Sequence, residues 1–270
     1  MEDWTRQRLG EETALWVSPR HRFGTDAFVL ADFARPRRGD LAADLGAGCG
    51  ILGTLLLTGE YAPRQVLSLE LQPEAVAQME RTAEDNPHLA GRLLPLLGDL
   101  RQPDALPHRG QVRLVVANPP YFAPRTGKTA PHPARLLARH EGPGCTLEEV
   151  VAAAAGLLGT GGCCCLCHRP EHLPRLLAAL TRHHLEPKRL RMVQQRAGKA
   201  PWLVLVEGKK QAAPSLEIAP PLILEGEDGS LTPEALGIYR KAANRPGSSA
   251  APGGTEAGGI QADGNLPPRR

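Results

Sequence analysis

Asp44 to Gly53 reads DLGAGCGILG, and this stretch decides the fold. It follows the apolar run Leu41 to Leu45 and leads into the apolar run Ile51 to Leu57, so it is the turn from a first strand into a first helix. In doubly wound α/β folds this turn is where nucleotides bind, and glycines let a ligand approach the backbone. The stretch therefore predicts a ligand-binding loop carrying Gly46, Gly48 and Gly50.

Short apolar runs and helical segments alternate along the chain. The runs and helical segments after the loop are Gln65 to Leu69, Pro73 to Asn86, Leu93 to Leu97, Val112 to Ala117, Val150 to Leu158, Cys163 to Cys167, Leu190 to Val193 and Leu203 to Val206. Thr146 with Glu149 forms a capping box before the late helix, and Gly161-Gly162 is expected to end it. This alternation predicts an α/β fold with a doubly wound, mostly parallel sheet and helices on both faces.

The composition indicates one main domain in a soluble, cytoplasmic protein. The chain has 270 residues, 41% of them hydrophobic, and a net charge of +3. No window is apolar enough to span a membrane, and the first residues lack the apolar run of a signal peptide. We expect an N-terminal extension over residues 1–40 that covers the site, a catalytic domain over 41–243, and a disordered Gly/Pro-rich tail over 244–270.

Acidic residues at successive strand ends indicate which ligand the loop binds. The loop formally matches the dinucleotide fingerprint GxGxxG, with Glu70 where a ribose-binding acid belongs. However, Asp44 would repel a pyrophosphate at the helix N-terminus, whereas it would attract the ammonium and sulfonium groups of S-adenosylmethionine. We therefore predict that cofactor, with Glu70 on the ribose, Asp99 on the adenine amino group and Leu100 against the ring.

The segment Asn118-Pro119-Pro120-Tyr121 follows a buried strand and suits a planar amino group. The Asn118 side-chain oxygen and the Pro119 carbonyl can both accept hydrogen bonds from one NH2 group, and Tyr121 can stack on the ring that carries it. The two prolines hold the turn nearly rigid. A nucleobase or a glutamine amide would fit these predicted catalytic residues.

Four cysteines crowd into Cys163 to Cys167, on a predicted strand where adjacent side chains point to opposite faces. This arrangement favours reduced thiols over disulfides. A zinc site with His168 is the alternative, but no distant partner pair of ligands is present, so no metal is predicted.

Basic residues in two regions are candidate RNA contacts. The loop after Tyr121 carries Arg125, Lys128 and Arg139, and the basic patch between Arg182 and Lys199 carries Lys188, Arg189 and Arg191. We predict salt-sensitive phosphate contacts from both regions.

With these residues assembled, the chain resembles the class I methyltransferases, and more narrowly the bacterial tRNA(Val) (adenine-N6)-methyltransferase family. The resemblance covers most of residues 15–242. It rests on FGTDAF at 23–28, DLGAGCGILG at 44–53, Glu70, NPPY at 118–121, RHE at 139–141, HRP at 168–170 and PKR at 187–189.

The resemblance implies a Rossmann-like fold with a seven-stranded sheet. It also implies methyl transfer from S-adenosylmethionine to the exocyclic N6 of an adenine beside the anticodon of tRNA(Val). In this context Thr25 and Asp26 look placed to close over the cofactor. The cysteine cluster departs from the family pattern, which we expect to affect core packing rather than activity.

Three alternatives stay open. Glutamine N5-methylation of a protein such as a release factor uses the same Asn-Pro-Pro-Tyr chemistry, although we expect no separate N-terminal recognition domain before the first strand. Guanine-N2 methylation of ribosomal RNA fits Tyr121-Phe122 less well. A non-catalytic RNA-binding protein that keeps a cofactor pocket is the alternative from another class. The oligomeric state is not predicted.

Overall fold

The computed structural model describes residues 3–102, 106–119 and 145–243. A small hairpin comes first, and the remaining strands form one eight-stranded sheet. The strands are β1 (Thr5–Arg8), β2 (Ala14–Val17), β3 (Leu41–Leu45), β4 (Gln65–Glu70), β5 (Leu93–Leu97), β6 (Val112–Ala117), β7 (Leu158–His168), β8 (Leu185–Arg196), β9 (Leu203–Lys210) and β10 (Glu217–Glu225). The order across the large sheet is β10-β8-β9-β7-β6-β3-β4-β5.

Helices cover both faces of this sheet. They are α1 (Thr25–Ala34), α2 (Ile51–Thr58), α3 (Pro73–Asp85), α4 (Leu147–Leu157), α5 (Leu173–Arg182) and α6 (Pro233–Ala243), with a 3₁₀ turn at Pro170–His172 before α5. Alternate residues of β3 show the double coverage, because Ala42 belongs to one apolar cluster and Ala43 to the cluster on the other face. Strands buried on both faces read as continuous apolar runs, which is why β3 was recognisable.

The predicted doubly wound fold is confirmed, with an eighth strand in addition to the seven expected. Among the described strands of the eight-stranded sheet, only β9 runs antiparallel to its neighbours. The added strand, β10, pairs in parallel with β8 at the sheet edge. Its sequence contains Pro220-Pro221, which cannot donate to a ladder, and this concealed it from pattern analysis.

The capping box is confirmed, but the predicted helix end is wrong. The Thr146 side chain accepts from the N–H of Glu149 at 3.2 Å, and the Glu149 side chain accepts from the N–H of Thr146 at 2.7 Å. The helix ends at Leu157, and Gly161 and Gly162 lie inside β7. A Cβ on Gly162 would lie 2.9 Å from a Leu158 methyl carbon, so close packing and not helix termination accounts for this glycine.

The N-terminal hairpin packs on α3. The indole N–H of Trp16 donates to Asp85 at 2.7 Å, and the Asn86 side chain bonds both backbone groups of Ala14, at 2.8 and 3.1 Å. The N-terminal hairpin therefore docks on the sheet domain, while the predicted role of residues 1–40 as a cover of the site stays a prediction. The predicted tail, 244–270, lies outside the described residues.

The five parallel strands β3 to β7 all end at one edge of the sheet. Ligands of open α/β sheets bind at this edge. Within the described ranges, no helix is long and apolar enough to cross a membrane.

Candidate active site

The glycine loop needs the glycines that the sequence places there. Gly46, Gly48 and Gly50 have φ values of +74°, +55° and +79°, a region that side chains with a Cβ rarely adopt. The N–H groups of Gly46 and Ala47 donate to the Leu69 carbonyl at 2.9 and 3.0 Å, which fixes the loop against the end of β4.

Glu70 is the last residue of β4 and is buried. One carboxylate oxygen accepts from the N–H of Gly48 at 2.9 Å, and the other accepts from the N–H groups of Leu71 and Gln72 at 2.8 and 2.9 Å. This carboxylate joins the glycine loop to the turn after β4. The structure therefore brings Glu70 to the predicted cofactor loop and gives it a loop-shaping role that the sequence did not reveal.

Asp44 is fully buried near the end of β3. Within the described residues, neither carboxylate oxygen has a hydrogen-bond partner. Burial raises the pKa of Asp44 to about 7. The N–H of Gly53 in the first turn of α2, which lies nearby but outside hydrogen-bonding geometry, opposes this increase, and the charge of Glu70 adds to it. A buried acid without a partner is costly, so this position suits a ligand that brings positive charge or a hydrogen-bond donor.

Asp99 follows β5 and already has a strong protein partner. The guanidinium of Arg101 pairs with its carboxylate, with nitrogen–oxygen distances of 2.6 and 2.9 Å. The hydrogen bonds from Arg101 lower the pKa of Asp99. Leu100 is partly buried and packs against the apolar cluster that contains Ala43. Contact of Asp99 and Leu100 with an adenine stays a prediction, and Arg101 would compete with it for the carboxylate.

Asn118 follows β6, and its side-chain amide is held at both ends. The amide nitrogen donates to Asp26 at 2.9 Å, and the Cys167 thiol donates to the amide oxygen at 3.0 Å. The register of β6 and β7 explains the thiol contact. Ala117 pairs with Leu166, so the residues that follow them, Asn118 and Cys167, are neighbours. Pro119 is buried, while Pro120 and Tyr121 lie outside the described residues.

Thr25 and Asp26 lie in the first turn of α1. The Thr25 hydroxyl is 3.0 Å from the Tyr239 hydroxyl on α6. The described contacts of Thr25 and Asp26 thus join α1 to α6 and to the end of β6. Their predicted cofactor contacts stay a prediction.

The predicted RNA contacts of the basic patch have protein partners. The Arg189 guanidinium pairs with Glu207 at 2.7 Å and lies 4.0 Å from the centre of the Phe33 ring. Arg191 pairs with Glu234 at 2.8 Å, and the Lys188 amine donates to Ala213 and Ser215.

Lys188 is also separated from Asn118 across the sheet. It lies on β8, and β9 and β7 stand between that strand and β6, which ends just before Asn118. RNA contact by these three residues stays a prediction, and Arg125, Lys128 and Arg139 lie outside the described residues.

Sequence reasoning missed two residues of this edge. Cys167 was treated as a core residue, and Arg101 was not singled out. The signal for Cys167 was its place near the end of β7, since parallel neighbours bring their ends to one edge. The signal for Arg101 was its separation of two residues from a carboxylate in a turn, which allows a local bidentate pair.

No family model matches the chain. Its sequence is 32% identical over 219 residues to the tRNA1(Val) (adenine(37)-N6)-methyltransferase of Tolumonas auensis, covering 80% of this chain and 87% of that protein. This chain belongs to the tRNA1(Val) (adenine(37)-N6)-methyltransferase family. The relative of that name from Yersinia enterocolitica is 29% identical over 145 residues, covering 54% of this chain and 56% of that protein.

Solved structures support the fold. A predicted O-methyltransferase from Agrobacterium tumefaciens aligns with a TM-score of 0.66 at 22% identity, covering 80% of this chain and 96% of that one. The M. jannaschii tRNA m1G37 methyltransferase aligns with a TM-score of 0.54 at 16% identity, covering 78% and 58%. The predicted family and the predicted Rossmann-like fold are confirmed.

Proposed function

We propose that this chain transfers a methyl group from S-adenosylmethionine to the exocyclic N6 of adenine 37, beside the anticodon of tRNA1(Val), the substrate that names the family. One relationship carries the proposal. Asp44 pairs in register with Val116 on the neighbouring strand, so the buried acid of the cofactor loop and Asn118 lie on adjacent strands at one edge. Donor and acceptor sites are therefore neighbours.

The cofactor residues fit a cationic ligand. Asp44 has two buried oxygens without a hydrogen-bond partner in the described ranges, and Glu70 presents a carboxylate at the mouth of the glycine loop. We assign Asp44 to the methionine end of the cofactor, Glu70 to the ribose, and Asp99 with Leu100 to the adenine, with Gly46, Gly48 and Gly50 lining the approach. Thr25 and Asp26 belong to the same proposed site. When bound, S-adenosylmethionine supplies a methyl group on a positively charged sulfur.

The acceptor residues act on the target amino group. Its lone pair is delocalised into the adenine ring, so acceptors that draw both hydrogens out of the ring plane make the nitrogen more nucleophilic. Asn118 and the Pro119 carbonyl are assigned this role, and they also stabilise the positive charge that grows on nitrogen in the transition state. Pro120 keeps the turn rigid, and Tyr121 stacks on the base.

An anticodon-loop base is already partly unstacked, which lowers the cost of placing it in the site. We assign phosphate contacts first to Arg125, Lys128 and Arg139, which follow the acceptor motif in the sequence, and secondly to Lys188, Arg189 and Arg191. Because its proposed substrate is a tRNA, we also propose that the protein acts in the cytoplasm.

The test is tritiated methyl transfer from S-adenosylmethionine, with tRNA1(Val), total tRNA, ribosomal RNA and release factors as parallel acceptors. Nucleoside analysis should find N6-methyladenosine at position 37 of tRNA1(Val). Asn118→Ala is the negative control for turnover. It should lower kcat by at least about a hundredfold while leaving cofactor affinity within a few-fold. Label in release-factor glutamine or in guanine-N2 would reject the proposed substrate, and cofactor binding with no turnover would reject the enzymatic role.

A further inference from the structure

Building on the proposed function, we propose that Asp26 and Cys167 are positioning residues that set the orientation of the Asn118 side-chain amide. Asp26 lies on the N-terminal helix α1 and Cys167 near the end of β7, so the two contacts approach Asn118 from different elements. Together they turn the amide oxygen of Asn118 away from Asp26. The proposal gives both residues a role in catalysis that acts through Asn118.

Asp26 decides which end of the amide faces it. A carboxylate can only accept hydrogen bonds, so the group of Asn118 that lies 2.9 Å from the Asp26 Oδ2 atom is the amide nitrogen. In the reversed orientation, the amide oxygen would face a carboxylate oxygen at this distance. Two acceptors without a proton between them repel each other, so the reversed orientation is disfavoured.

Cys167 selects the same orientation from the other side. Its sulfur lies 3.0 Å from the Asn118 Oδ1 atom, and a thiol is a donor to oxygen. The side chain of Cys167 is fully buried, while Asn118 is partly exposed, so the contact is shielded from water on the side of the thiol. A thiol is a weak donor, and we therefore expect the larger effect from Asp26.

Asp26 is itself firmly placed. Its other oxygen, Oδ1, accepts from the backbone N–H of Ala27 at 3.0 Å, and its position in the first turn of α1 is favourable for a negative charge. Helix α1 is in turn joined to α6 by the Thr25–Tyr239 contact at 3.0 Å. The N-terminal helix is thus a fixed support for the acceptor strand.

The orientation matters because the proposed target is an amino group. A correctly oriented Asn118 offers an oxygen acceptor, which has two lone pairs and can bind the target while bonded to Cys167. A reversed Asn118 would offer N–H groups to N–H groups. Donation from the amide nitrogen to a carboxylate also polarises the amide and strengthens its oxygen as an acceptor.

The first test uses single variants with a control on the same helix. Asp26→Asn removes the charge and lets either amide orientation pair, so kcat measured at saturating S-adenosylmethionine should fall about tenfold. Because Asp26 is also assigned to the cofactor site, the Kd for S-adenosylmethionine is measured separately and does not enter this comparison. Asp32→Asn, the control, should keep kcat within about twofold. Cys167→Ala should lower kcat about threefold, and Cys167→Ser, which keeps a donor, should restore most of the loss.

The second test exchanges the two side chains. Asn118→Asp alone places two carboxylates against each other and should be nearly inactive. Adding Asp26→Asn restores a donor–acceptor pair and leaves an oxygen acceptor at position 118, so the double variant should be at least about tenfold more active than Asn118→Asp. Thermal unfolding of every variant accompanies the kinetics, because a structural role would change stability without this recovery.

A third measurement does not depend on turnover. In 15N-labelled protein, the side-chain amide signals of Asn118, assigned by their loss in Asn118→Ala, should shift in Asp26→Asn and stay in place in Asp32→Asn. The proposal is overturned if those signals do not move, if Asp26→Asn matches Asp32→Asn in kcat, or if the exchange gives no recovery. Failure of wild-type protein to methylate any tRNA would instead reject the proposed function, while the amide signals would still report on the contact.

Discussion

Gly48 donates its backbone N–H to the Glu70 carboxylate at 2.9 Å, across 22 residues of sequence. This bond links the two segments that the sequence assigns to the cofactor. The same carboxylate accepts from Leu71 and Gln72. Glu70 therefore holds the shape of the glycine loop before any ligand arrives.

Glu70→Gln should weaken cofactor binding and lower the melting temperature together. A glutamine presents one oxygen and one NH2 group, so it cannot accept from Gly48 on one side and from Leu71 and Gln72 on the other. We expect the Kd for S-adenosylmethionine, measured by calorimetry, to rise about tenfold. Glu84→Gln removes an exposed carboxylate of α3 and is the control. Unchanged affinity in Glu70→Gln would contradict the assigned ribose contact.

Cofactor affinity should depend on pH through Asp44. Burial raises the pKa of Asp44 to about 7, so the free protein holds this acid largely protonated below that pH. A cationic ligand favours the ionised form, and its affinity should therefore increase as the pH rises through about 7 and then level off. Calorimetry at several pH values tests this, and Asp44→Asn should flatten the profile. A profile with the same slope in Asp44→Asn would show that another group titrates.

The stability of the free protein should show the opposite trend. The pKa of Asp44 is higher in the folded state than in the unfolded state, where it is about 3.9. The contribution of Asp44 to stability is therefore complete below pH values of about 3.9 and is lost as the pH rises through the folded-state pKa. The melting temperature of Asp44→Asn should therefore exceed that of the wild type more at pH values above the pKa of about 7 than at acidic pH. An equal difference at all pH values would argue against a titrating Asp44.

Two helical glycines should respond oppositely to alanine. A Cβ on Gly53 of α2 would lie 2.8 Å from the Ser68 hydroxyl and 2.9 Å from a Leu93 methyl carbon, so Gly53→Ala should destabilise the fold by about 1–3 kcal/mol. No atom lies within 4 Å of a Cβ built on Gly237 of α6, and Gly237→Ala should stabilise it by about 0.5–1 kcal/mol. Urea unfolding measures both. Equal effects would mean that α2 can move away from the sheet.

Arg189 and Glu207 form a largely buried ion pair at 2.7 Å. Breaking it from either side leaves an unpaired charge, so Arg189→Ala and Glu207→Gln should both lower the melting temperature. An RNA contact would add a second effect, because Arg189→Ala alone would raise the KM for tRNA. We expect this rise in KM to be small, since the side chain of Arg189 is only 13% exposed. A selective rise in KM for Arg189→Ala would establish the RNA contact.

The sequence by itself determined the layout of the fold and which side chains lie at the edge that holds the candidate site. Buried parallel strands such as β3 appear as continuous apolar runs, and strand ends in such a sheet share one edge, so Asp44, Glu70 and Asn118 could be placed together without coordinates. The cofactor class followed from charge, because an acid beside the glycine loop suits a cation. The eighth strand, β10, was not predicted, because its pairing depends on β8 and not on a pattern in its own sequence.

Only the tertiary structure decided which partner each polar group takes. Asp26 and Asn118 are 92 residues apart, and Cys167 lies a further 49 residues along the chain. No local pattern encodes such contacts, because they depend on how α1, β6 and β7 pack. The same holds for Arg189, whose positive charge suggested RNA and whose burial beside Glu207 and Phe33 depends on the folded sheet. Residue types set the available chemistry, while packing selects the partners.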